Sequence, residues 1–205
     1  PGEAADERLP VLIVAKLCRT VFAEYESRIL RGDAQADWQR GNLAALDAVR
    51  RTAMQYALLG GECLLKPVPC PATGGFDFVA IRRDCYAPLA RDAHGNLQAV
   101  GTMELLRRGG NRYALLERRT ACPGKEGGLR IETRLFELAA AEGTALGREV
   151  PLDTLPETAN LQPTLLLPGV RGVGLAVLRT PLPNCVDASG DAVAVFAPAA
   201  GLLHT

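Results

Sequence analysis

Between Leu97 and Leu138 the chain alternates apolar and polar residues in three runs separated by glycine-rich breaks. Leu129, Ile131, Thr133 and Leu135, for example, alternate with Arg130, Glu132 and Arg134. A period of two puts one set on a buried face and the other in solvent, as a strand does and a helix of period 3.6 cannot. The breaks are Gly109–Asn111 and Pro123–Gly128, and a further turn, Asp92–Asn96 with Gly95, leads into the first run. Glycine accepts the positive φ that tight hairpin turns require. Strands over Leu97–Leu106, Arg112–Ala121 and Leu129–Leu138 are joined too closely for a crossover, so they must pair antiparallel, as a meander.

Upstream the period is helical. Pro10 suits a first turn, where its missing N–H costs nothing. Val14, Leu17, Cys18, Val21, Tyr25 and Ile29 predict one buried stripe on a helix from Val11 to Leu30, with Glu24 and Glu26 on the outer face and Gly32 past the end. Asn42 predicts the N-cap of a second helix that stops at Gly60-Gly61. Its inward stripe is Leu43, Leu46, Val49, Ala53, Tyr56 and Ala57. Glu62–Val68 then reads as a strand broken by the prolines at 67, 69 and 71. Phe76–Ile81 reads as a second strand and Cys85–Leu89 as a short extended piece. Past Gly143 the pattern weakens. Residues 150–161 read as a loop with one helical turn, Thr164–Leu167 and Val173–Leu178 as strands, and residues 181–184 as turn. Asp191–Ala197 reads as the start of an apolar helix. The expected class is α+β: two N-terminal amphipathic helices packed on antiparallel β-sheet with a three-strand meander. The expected divisions are a flexible arm over 1–9, a helical pair over 10–60, a β-rich region over 61–180, and the start of a further segment over 181–205.

Basic and acidic side chains balance at 23 each, which argues against a surface given over to DNA or RNA. No apolar run approaches the roughly 18 residues that span a bilayer, and PGEAADERLP lacks the apolar core of a signal peptide. A soluble protein made in a cytoplasm is expected, without membrane partners.

Catalytic and ligand-binding constellations are hard to assemble from these residues. The six cysteines, at 18, 63, 70, 85, 122 and 185, form no C-x-x-C pair, and His94 and His204 are the two histidines. Zinc needs about four ligands, usually in close pairs, so no metal is expected. The even count allows a disulfide framework, but the apolar contexts favour buried reduced thiols. His94 sits in a turn with nothing nearby in sequence to orient its ring as a general base. Glu132 and Glu137 belong to the outer side or edge of the meander. Gly169–Gly174 has closely spaced glycines but precedes a strand, whereas a dinucleotide loop follows a strand and opens a helix. Arg82, Arg83, Arg107, Arg108, Arg112, Arg118 and Arg119 lie near the sheet. A solvated or inter-subunit ion-pairing role is expected for them. No catalytic, cofactor or metal-binding residue is nominated. The residues alone leave open an assembly subunit, a protein- or peptide-binding module, and a small enzyme with a site not visible in sequence.

The order of these pieces carries a resemblance. A helical pair leads into Ala57-Leu58-Leu59-Gly60-Gly61-Glu62-Cys63-Leu64-Leu65-Lys66-Pro67. Next come Phe78-Val79-Ala80, Cys85-Tyr86-Ala87-Pro88-Leu89 and the turn Asp92–Leu97, then Asn111–Arg119 and Leu129–Phe136. Val150-Pro151-Leu152 and Val193–Ala200 complete the series. This order resembles the N-terminal, wing-region half of bacteriophage portal proteins of the siphovirus type. Arg119 stands where that family often has His, and Thr133 where it often has Asn. The resemblance implies a non-enzymatic structural subunit without cofactors, located at a capsid vertex of the virion and made in the bacterial host cytoplasm. Partners would be other portal subunits in a ring, terminase, capsid or scaffold proteins and head-tail connectors. Phage DNA would be packaged and ejected through the ring, not against this part, so no DNA-contacting residue is nominated. The stem, clip and crown of such a protein are not in these 205 residues, which implies that they are mainly monomeric alone.

Overall fold

The computed structural model describes residues 8–30, 32, 34–70, 73–122, 127–139, 145–182, 184 and 190–198. Among the described residues two α-helices, α1 (Arg8–Val21) and α2 (Ala34–Gly60), precede nine strands. These are β1 (Glu62–Cys70), β2 (Gly75–Ile81), β3 (Tyr86–Arg91), β4 (Leu97–Arg108), β5 (Asn111–Cys122), β6 (Gly128–Leu138), β7 (Leu146–Val150), β8 (Thr164–Pro168) and β9 (Ala176–Arg179). The class is α+β, as expected. Residues 1–84 and 175–205 form one compact unit and residues 85–174 another.

In the first unit, the helices pack on a three-stranded antiparallel sheet of order β2–β1–β9. Ala53 and Ala57, one turn apart on α2, meet Cys63 of β1, with Tyr56, Leu65, Ala80 and Leu178 around them. Two alanines on the contact face let the helix axis approach the sheet closely.

Several helical expectations fail here for tertiary reasons. α1 ends at Val21, not Leu30, so Glu24 and Glu26 lie beyond it. The chain departs because Arg50 of α2 captures it. The Arg50 guanidinium lies 3.7 Å from the Tyr25 ring centroid and 5.4 Å from that of Phe22. It also donates to Ser27 Oγ and to the Tyr25 carbonyl. Tyr25 and Val21 are consequently exposed, not part of a buried stripe. α2 starts at Ala34, so Asn42 is mid-helix and not its cap. The Asn42 side chain instead donates to the Trp38 carbonyl and accepts the Phe76 amide at 2.7 Å, tying α2 to β2.

β1 continues to Cys70 through Pro67 and Pro69, where a break was expected. β9 pairs β1 over Glu62–Leu65, so that edge is free beyond Leu65 among the described residues. A strand tolerates prolines whose nitrogens face such an edge. Residues 191–194 are not helical. They run as a strap across the α2–β1 junction, fixed by bonds from Val195 N to Leu58 O and from Thr180 Oγ1 to Val193 O.

The second unit is a curled antiparallel sheet of order β3–β4–β5–β6–β7, with β8 also on β6. The expected meander is its centre, with ten pairs joining β4 to β5 and ten joining β5 to β6. Gly95, Gly109 and Gly110 adopt positive φ, as their turns require. Asn111 already belongs to β5, and residues 123–126 of the third turn lie outside the described residues. β7 appears in a stretch where no strand was expected. The Val173–Leu178 strand is shortened to β9 because Gly174 takes a positive φ. Tyr113, Leu135 and Leu155 form the core, with Leu106, Leu115, Val150 and Leu152 against it.

Candidate functional site

Among the described residues charge is buried in two places, one in each unit. At the first, Glu62 follows Gly60-Gly61 into β1 and is fully inaccessible. Its register partner on β9 is Arg179, whose Nε lies 3.0 Å from Glu62 Oε2. Arg83 Nε stands 3.8 Å from Oε1 and also pairs with Asp191 of the strap. Gly61 O accepts the Thr180 amide at 2.9 Å. A carboxylate held by two guanidiniums has its lone pairs directed at fixed cations, which suits a structural clasp more than proton transfer. Nothing in the sequence marked Glu62 except its place after two glycines and before an apolar strand.

Beside it, Cys63 is buried, and desolvation pushes its thiol up to about 11. The five described cysteines are free thiols, and Cys185 lies outside the described residues. Cys18 and Cys63 are buried as expected, whereas Cys70, Cys85 and Cys122 are half-buried. At pH 8 the thiolate of folded Cys63 is on the order of one part in a thousand, so iodoacetamide should label it far more slowly than it labels the urea-unfolded chain. The linkage has a definite sign. The thiol pKa is 9.0 when unperturbed and about 11 in the fold. Its contribution is therefore complete below pH 9 and lost as pH rises toward about 11, a total of roughly 2–3 kcal/mol. Urea midpoints from pH 8 to 11 should fall more steeply for the wild type than for Cys63→Ala.

In the second unit Arg119 is 6 % exposed. It donates to Glu117 at 2.7 Å and to the carbonyls of Gly174 and Val173 at 3.3 and 3.5 Å. The solvated or inter-subunit role expected of Arg119 is thus replaced by an internal one. The 169–174 loop presents carbonyl oxygens to a cation, whereas a phosphate loop presents N–H groups to an anion. Gly174 is needed there: its φ is +64°, and a Cβ would stand 2.8 Å from Leu129 Cδ2.

The remaining arginines, carboxylates and histidines are dispersed. Arg82 bonds Asp84, Arg108 bonds Glu157 at 3.3 Å, and Arg107, Arg108 and Arg112 gather at the β4–β5 turn. Glu132 bonds Arg130 and Glu137 approaches Arg148, both on the meander. The His94 amide donates to Asp92, whose carboxyl is held below its usual range mainly by the Asn96 side chain. His204 lies outside the described residues. Among the described residues no three His, Cys, Asp or Glu side chains are grouped to hold a metal. No described helix is long and apolar enough to cross a membrane.

The most unusual surface is α1. It buries Val14 and Cys18 but leaves Leu9, Ile13, Leu17 and Val21 exposed, the last at 61 %. These four recur every fourth residue, so they form one continuous ridge beside the buried line. Leu12, 64 % exposed, adds to the apolar area. A helix with its apolar ridge in water is built to be covered.

No model of a known protein family matches the chain, and no curated protein matches it in sequence.

Proposed function

We propose that this chain is a structural subunit of a viral portal ring, contributing its outer, wing region and no catalysis. The observation that carries the reading is the Leu9-Ile13-Leu17-Val21 ridge, a continuous apolar row left exposed in the single chain. The element order supports it: a helical pair, a Gly-Gly step into a strand, then the meander. The use of the buried charges agrees as well, since Glu62 and Arg119 each fasten backbone segments within a unit. The ring would conduct phage DNA and dock terminase and head-tail connectors through parts outside this chain.

The test is assembly of the full-length gene product that contains this chain. Electron microscopy should show closed rings of about a dozen copies. Leu17→Asp, which places a charge in the ridge, should leave folded monomers and abolish rings. Absence of rings in the wild type would refute the reading, and a binding module would then remain. Rings that persist in Leu17→Asp would remove the ridge as its support.

A further inference from the structure

The strands of the second unit sort their charges by face. Register and alternation place Tyr113, Leu115, Leu135, Arg119 and Arg108 on the core face. The opposite face receives Arg107, Arg112, Arg118, Arg130 and Arg134, against Glu132 and Glu149. Both glutamates are engaged: Glu132 bonds Arg130 at 3.1 Å, and Glu149 bonds Arg134 at 3.6 Å. Glu132 also stands across from Arg118. At the β4–β5 turn, Arg108 bonds Glu157 at 3.3 Å.

That turn is built tightly. Gly109 and Gly110 have φ of 56° and 86°, the signature of a two-residue type I′ hairpin. Arg108 pairs with Asn111 to close it, and the next pair is Arg107 opposite Arg112. In such a hairpin this second pair is the one without mutual hydrogen bonds, whose Cα atoms approach to about 4.5 Å. Like charges directly opposite on a ladder repel. Arg112 is half-buried and has contacts of its own. Arg107 is exposed and has no hydrogen bond or ion pair among the described residues. With Arg108 and the two glycines they line an open concavity of about 340 Å³.

We propose that the β4–β5 hairpin tip is a binding site for a phosphate-bearing ligand, clamped between Arg107 and Arg112. The Arg107 guanidinium presents a planar fork that matches phosphate oxygens, and Arg112 adds a second positive charge beside it. Gly109 and Gly110 line the same space. The ligand is a free phosphate compound or the phosphodiester backbone of a nucleic acid. Arg118 separates the two sources. It lies on the same face, six residues and about 20 Å along β5 from Arg112, within reach of a strand and beyond reach of a small anion. This inference is independent of the portal reading, since it asks nothing of ring assembly.

The experiment titrates the whole chain with pyrophosphate, and separately with a single-stranded oligodeoxynucleotide of about twelve residues, following the backbone amide resonances of Gly109 and Gly110. Saturable shifts are expected. R107A should weaken them about tenfold or more, and R107K should recover part of the loss. R134A removes the same charge from the same face and should change affinity less than about twofold. If the oligonucleotide binds tighter and R118A weakens it without affecting pyrophosphate, the source is a backbone. If R118A affects neither probe, the source is a free phosphate compound. No saturable shift with either probe, an equal loss in R134A, or tighter binding of oligoglutamate than of both probes overturns the proposal.

Discussion

Gly61→Ala should be the most damaging small substitution in the first unit, lowering its stability by about 3 kcal/mol or more. Two costs combine. The residue holds φ at +87°, which an L side chain rarely adopts. A Cβ there would stand 2.2 Å from the Ala192 carbonyl oxygen and 2.6 Å from its carbon. Both atoms are backbone, so no side-chain rotation relieves the overlap. The strap over residues 191–195 must lift, and the Val195–Leu58 bond goes with it. Hydrogen exchange should show the Val195 amide losing protection, with a lower urea midpoint. Gly95→Ala separates the two costs. Gly95 has φ of +79° but open space around its Cβ position, so it should lose only about 1–2 kcal/mol. Equal losses at the two glycines would mean that the strap contact carries no weight.

Arg119→Met should cost about 3–5 kcal/mol in the second unit. Methionine fills similar volume, so the loss is electrostatic. Glu117, whose side chain is 13 % exposed, loses its 2.7 Å partner. The carbonyls of Val173 and Gly174 lose a buried donor as well. Removing one partner of a buried pair costs more than the pair contributes, so a Glu117→Leu/Arg119→Met double variant should recover part of the loss. Arg108→Met is the surface counterpart. Its pair with Glu157 is more than half exposed on both sides and should be worth less than about 1 kcal/mol. Denaturant titrations of the four chains test the order. A single-variant loss at Arg119 no larger than that at Arg108 would contradict the role assigned to it.

The sheet at the centre of the second unit was readable because its signals are local. Glycines at 95, 109 and 110 do what the turns demand, and a period of two needs no knowledge of partners. The errors arose where a distant residue decides. α1 stops early because Arg50, in another helix, stacks on Phe22 and Tyr25. Asn42 has the chemistry of a cap but spends it on the Phe76 amide. Pro67 and Pro69 read as breakers until the neighbouring strand is seen to reach only as far as Leu65, opposite Ala176. The same holds for the candidate sites. Arg118 and Arg119 are adjacent and identical in sequence, yet one is exposed and the other buried, because alternation assigns them to opposite faces. Glu62 is distinguished by Arg179, 117 residues away.

That separation has a consequence for how the chain acquires its structure. The second unit is one uninterrupted stretch, inserted between the two stretches that make the first. Its strands pair largely with sequence neighbours, so its loop-closure entropy is low and it can form as soon as it is synthesised. The first unit must wait. Its sheet lacks β9, and Glu62 lacks Arg179, until the entire insertion has been made. On a ribosome the later segment therefore folds first, and the earlier helices and β1 stay dependent on residues still to come.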